Sequence, residues 1–159
     1  MSRFHRSLIA VLLPFVPLVP LLAAASAHAA APVPFTITEQ VDLSTDPFTL
    51  TFTATGPLCP AGSFTDDQVV SAGHPNPAGV ANFLSHTVYT CADGSGTFNA
   101  LKLDHLTVSP GIGFINAGNI QLLGGTGDYT SLAGHGVDDG TFSYQTLTGV
   151  GNISGTAQP

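Results

Sequence analysis

Phe48-Thr49-Leu50-Thr51-Phe52-Thr53-Ala54-Thr55 decides the fold. Apolar and hydroxyl side chains take turns along this stretch, the period of two that sends one set to each face of a β-strand. β-branched threonine suits an extended, half-buried backbone. The segment before it repeats the pattern: Phe35, Ile37, Glu39, Val41 and Leu43 share one face, while Thr36, Thr38, Gln40 and Asp42 share the other. Asp46-Pro47 between the two segments reads as the turn.

Further strands follow at short, regular intervals: Ser63 to Val70, Phe83 to Thr90, Thr97 to Val108, Ile115 to Leu123, Thr141 to Thr146 and Asn152 to Gln158. Gly56 to Gly62, Gly73 to Pro77, Asp93-Gly94-Ser95-Gly96, Ser109-Pro110-Gly111 and the glycine-dense run from Gly124 separate them. No segment carries an apolar period of 3.6, and 18 glycines with 12 prolines would interrupt any long helix. Short strands with turn residues between them make an all-β domain of about eight strands, either a closed barrel or a sandwich.

The N-terminus has a different logic. Arg3, His5 and Arg6 precede an apolar run from Leu8 to Leu22, and small residues ending in Ala27-His28-Ala29 follow it. That order is a secretory signal peptide with cleavage after Ala29, or after Ala27 at Ala25-Ser26-Ala27. The run contains Pro14, Pro17 and Pro20 and falls short of the roughly 20 residues a spanning helix needs. The expectation is a leader over 1–29, a single domain over 30–159, and a secreted, extracellular protein with no membrane attachment after cleavage. Arg3 and Arg6 leave with the leader, so Lys102 alone faces ten acidic residues and the net charge falls to −9 with histidines neutral. One lysine cannot neutralise a phosphate backbone, which excludes nucleic acid as a partner. Oligomeric state is not legible.

Cys59 and Cys91 are the only cysteines. In an oxidising compartment a lone pair without CxxC spacing reads as a disulfide rather than a metal or nucleophile site. No cofactor motif is present. A dinucleotide loop would need glycine where Thr130 stands, and no Gly-x-Ser-x-Gly elbow occurs. Asp66-Asp67 and Asp138-Asp139 flank turns and fit no ligand spacing, so no metal is expected and both pairs read as solvated.

Gly124-Gly125-Thr126-Gly127-Asp128-Tyr129-Thr130-Ser131-Leu132-Ala133-Gly134-His135-Gly136 resembles the GGTG-x-aromatic signature of allene oxide cyclase and dirigent-like barrels. The stretch Tyr89 to Phe98 is similar to a segment preceding that signature in exported bacterial proteins of this look. The resemblance implies an eight-stranded antiparallel barrel, and a cyclase or isomerase that shapes a substrate in its cavity. Dirigent-like proteins use arginine with aspartate there; this chain has no arginine after Arg6, so that mechanism does not carry over. Plant allene oxide cyclases rely on a cavity glutamate, and Glu39 is the only glutamate here. The signature also reads as a corner, with Tyr129 and Leu132 tucked beneath it.

Glu39 shares the apolar face of its strand, so alternation points its carboxylate inward, where it can act as acid, base or ligand anchor. A bulge at Glu39 would instead turn it to solvent. His86 and His105 are the other candidates for acid–base work, with half-exposed strand histidines as the plainer reading; His74 and His135 read as solvated loop residues. Phe35, Phe48, Phe52 and Tyr144, with Phe98 and Phe142, are candidates to line a site for a small apolar molecule. Three functions fit: a non-catalytic or ligand-binding exported barrel, a cyclase or isomerase, and a surface or matrix protein. A solid interior would remove the first two as ligand sites, and a roomy pocket holding Glu39 or His86 would favour chemistry.

Overall fold

The computed structural model describes residues 31–159. Its eight strands are β1 (Val33–Asp42), β2 (Thr49–Ala54), β3 (Ala61–Ala72), β4 (Val80–Cys91), β5 (Gly96–Ser109), β6 (Gly113–Gly127), β7 (Ala133–Ser143) and β8 (Thr148–Gln158). Each pairs antiparallel with the next, and β8 returns to β1 along ten register positions from Val33↔Ala157 to Asp42↔Thr148. The sheet therefore shuts into a barrel. The sandwich alternative falls. The proposed leader lies outside the described residues.

The boundaries around the β6–β7 connection differ most from the sequence reading. β6 runs through Gly124 and Gly125 to Gly127, and β7 begins at Ala133 rather than Thr141. The sequence assigned these glycines to a corner because glycine is poor in strand interiors. Here they sit in strands whose inner face is filled from elsewhere. Only Gly127 needs its freedom for the turn, with φ +62. Tyr129 and Leu132 are buried beneath that turn.

Alternating side chains divide the interior into two halves. The half beside the β2–β3, β4–β5 and β6–β7 connections is solid. Phe35, Ile37, Phe52, Tyr89, Phe98, Ile120, Leu122 and Ile153 are each at most 2 % exposed. Tyr89 stacks on Phe98 with centroids 4.6 Å apart, and Phe52 meets both rings edge-on at 5.2 and 5.8 Å. Such pairs add about 0.5–1.5 kcal/mol each beyond their buried area. Leu58, Cys59 and Cys91 cap this end, with the two sulfurs 2.10 Å apart, at disulfide distance.

The wall is not uniform. β2 and β3 pair only at Thr51↔Ser63, Phe52↔Gly62 and Thr53↔Ala61. Beyond Ser63, β3 continues against β4 alone, with register shifts between Asp66 and Gln68 and between Val69 and Ser71. This parted seam runs alongside the other half of the interior.

The crosslink spans a sequence separation of 32 and should contribute roughly 3 kcal/mol by limiting the unfolded chain. Replacing both Cys59 and Cys91 by alanine is expected to lower the unfolding free energy by about that amount in urea titration. Intact mass spectrometry of the oxidised protein should read two hydrogens below the reduced mass; two free thiols would contradict the pairing.

Candidate functional site

Above the aromatic half, the same inward alternation turns polar. Along β5 the buried positions run Phe98, Ala100, Lys102, Asp104, and along β1 they run Phe35, Ile37, Glu39. β7 adds Asp138, also buried. Lys102 and Glu39 form an ion pair whose side chains are 7 % and 8 % exposed. Tyr89 Oη donates to the same Glu39 Oε1 at 2.5 Å. The Lys102 ammonium lies 5.7 Å from the Phe64 ring centroid and 5.8 Å from that of Tyr89.

Glycine on the β8 wall makes room for this pair. Glu39 stands beside Gly151 in register, and a Cβ there would lie 2.9 Å from Glu39 Oε2. Gly140 of β7 pairs with Gly151, and a Cβ on Gly140 would lie 2.5 Å from Asn116 Oδ1.

Asp104 and Asp138 flank Gly118 on β5 and β7. Asp104 Oδ1 lies over that glycine, where a Cβ would meet it at 2.3 Å, and the two carboxyls influence each other's titration. Burial raises the Asp138 pKa, Lys102 opposes the rise, and the Asp104 and Glu39 charges add to it, leaving it at about 7. Burial raises Asp104 too, with Lys102 pulling the other way. Oδ1 of each carboxyl is buried without a hydrogen-bond partner among the described residues. Burial pushes the Lys102 pKa down, yet Glu39, with Asp138 and Asp66 behind it, holds it above the ordinary value. Burial and the Glu39 charge push Tyr89 well above its usual range, so the phenol stays neutral.

These groups form the floor of a cavity of about 320 Å³. Ser85 and Asn116 continue the polar lining, and Val41, Phe83, Leu106, Phe114 and Phe142 form the walls toward the β1–β2, β3–β4, β5–β6 and β7–β8 connections. Asp66 lies at the parted β2–β3 seam, exposed yet on the cavity lining, and takes a hydrogen bond from Thr87 Oγ1 at 2.5 Å. Phe114, Phe142 and Tyr144 form an aromatic rim with centroids 5.4 to 6.2 Å apart.

Glu39 is inside, held by Lys102 and Tyr89, and no bulge turns it out. His86 and His105 are on the outer face of β4 and β5, because the inward positions of β4 are Phe83, Ser85, Thr87 and Tyr89. His86 Nδ1 lies 2.5 Å from Asp67 Oδ1, and His105 Nδ1 lies 2.7 Å from Asn82 Oδ1. Neither joins Glu39. Phe35 and Phe52 belong to the solid half, Phe48 is 67 % exposed in the β1–β2 connection, and Tyr144 stands on the rim. Asp138, read from sequence as a turn residue, is a buried mid-strand carboxyl, and His135 is on β7 rather than in a loop. Sequence reasoning missed Lys102, Asp104 and Tyr89. Among the described residues, no three His, Cys, Asp or Glu side chains converge as a metal site.

Comparison with protein families, curated proteins and solved structures found no match.

Removing one partner of a buried ion pair leaves the other charge stranded. Lys102→Met is expected to lower the unfolding free energy by about 3–5 kcal/mol in urea titration. Adding Glu39→Gln to Lys102→Met should restore about half of that loss or more, because the stranded carboxylate is gone.

Proposed function

We propose that this chain is an exported barrel that holds one small, mostly apolar molecule in the 320 Å³ cavity, with the molecule's polar group on the Lys102–Glu39–Asp104–Asp138 floor. The observation that carries this reading is the division of the interior. One half is packed with aromatic rings, while the other keeps open volume under an apolar wall and gathers the chain's only lysine and only glutamate at its base. A barrel that needed only stability would gain by filling this half as well, since empty volume and buried charge both cost free energy. Ligand pockets combine apolar walls with a few convergent polar groups in this way. Export rests on the basic, apolar and small-residue order of the first 29 residues.

A second reading, a cyclase or isomerase, is favoured by the carboxyl pair. Asp138, with a pKa of about 7, can give or take a proton near neutral pH at the cavity floor. Glu39 is the poorer acid–base group here, because Lys102 and Tyr89 both hold its Oε1. The likeness of Gly124 to Gly136 to allene oxide cyclase and dirigent-like barrels supports either reading of the cavity. In the isomerase reading, Asp138→Asn abolishes turnover while ligand is still bound.

Backbone-amide NMR with phenethyl alcohol, a neutral probe, tests the cavity. The expected shifts centre on Phe83, Phe114, Phe142, Gly149 and Gly151, with Phe35 and Phe98 unmoved. Shifts confined to the outer face, or none at saturating probe, would contradict the proposal.

A further inference from the structure

Four carboxyls face one ammonium in this cavity: Glu39 from β1, Asp66 from β3, Asp104 from β5 and Asp138 from β7, against Lys102 from β5. β4 adds the hydroxyl of Ser85 and the neutral phenol of Tyr89, β6 adds the amide of Asn116, and β8 adds glycine and Val150, none of them charged. Lys102 is engaged by Glu39. Among the described residues, that leaves an acidic excess with no further lysine or arginine to balance it.

A second observation points the same way. Asp104 and Asp138 are 6 % and 4 % exposed, both line the cavity, and Oδ1 of each is a buried acceptor with no donor. A buried acceptor left unsatisfied costs about 1–3 kcal/mol, more for a charged group. What would relieve both is a hydrogen-bond donor entering from the cavity, and a positively charged one relieves the repulsion between them as well.

Resting on the cavity reading above, we infer that the occupant is a small apolar amine, bound as its ammonium ion between Asp104 and Asp138 with its hydrocarbon part against Phe83, Phe114 and Phe142. The protein already holds one ammonium in this manner: Lys102 sits between a carboxylate and the rings of Phe64 and Tyr89. An aromatic face attracts a cation, more strongly where water is excluded. A carboxylate ligand is disfavoured, because it would approach three carboxyls beyond Glu39 with the only cation already paired. A metal ion is disfavoured by the nearby ammonium and by walls that offer carbon rather than oxygen.

A proton on the carboxyls competes with this ammonium ion, which binds best when both Asp104 and Asp138 are ionised. Burial keeps Asp138 protonated below about 7, so amine affinity should rise with pH through neutrality while the amine itself stays charged.

The test is isothermal calorimetry on the purified protein with three probes of one shape: phenethylamine, phenethyl alcohol and phenylacetate. At about pH 8 the amine should bind about tenfold tighter than the alcohol, and phenylacetate more weakly than either. Moving to about pH 5.5 should weaken amine binding about tenfold and leave the alcohol nearly unchanged. Asp138→Asn and Asp104→Asn should each weaken the amine about tenfold more than the alcohol. Should either variant fail to fold, the pH dependence of the unaltered protein still decides. Alcohol binding equal to amine binding, or phenylacetate binding tightest, overturns the inference and leaves the cavity reading standing. No heat from any probe, with no amide shifts, overturns both.

Discussion

The ion pair between Lys102 and Glu39 sets the character of the whole interior. A charge taken from water into a protein interior must find a partner and hydrogen bonds or it drives unfolding. Lys102 and Glu39 meet from β5 and β1, and the Tyr89 hydroxyl adds a donor from β4. Three separate strands must therefore be in register before any of these groups is satisfied. The pair divides the barrel at its waist. Below it, rings stack without space; above it, polar groups and bare glycine keep the barrel open.

That division accounts for features that otherwise look like poor strand design. Glycine-rich β7 and β8 lose side-chain packing, and glycine weakens a strand. Gly140 nonetheless lies against the Asn116 side chain of β6, and Gly151 lies where any Cβ would crowd Glu39 Oε2. Small residues on one wall give long charged residues on the other their room. The short pairing of β2 with β3 works in the same direction, since it leaves Asp66 at a seam that opens beside the polar half. The stability lost there is supplied by the aromatic half and by the Cys59–Cys91 crosslink.

Much of the fold was legible because alternation is a local signal. Phe48 to Thr55 and Phe35 to Leu43 show it openly, and the resemblance of Gly124 to Gly136 to barrel proteins chose a barrel over a sandwich. β7 was mislaid because its inward residues are Gly134, Gly136, Asp138 and Gly140, which carry no hydrophobic period at all. The site was legible only in part. Glu39 declared itself by sitting among Phe35, Ile37 and Val41. The same test applied to Phe98, Ala100, Lys102 and Asp104 would have turned Lys102 inward, but a lysine is expected at the surface. His86 misled because Val80, Leu84 and Val88 share its face, and on β4 that apolar face is the outer one. Which carboxyls meet depends on closure across β6, and no local pattern carries that.

The upper half of the barrel is a polar chamber in which burial drives Asp104 and Asp138 toward the neutral acid. Carbon-detected NMR titration of the aspartate side-chain carboxyls reads this directly. One carboxyl of the Asp104–Asp138 pair is expected to titrate at about 7, with exposed Asp42 and Asp93 below the ordinary aspartate value because Ser44 and Ser95 donate to them. If Asp104 and Asp138 both titrate independently at ordinary aspartate values, the two carboxyls are solvated and apart, and the chamber described here does not exist.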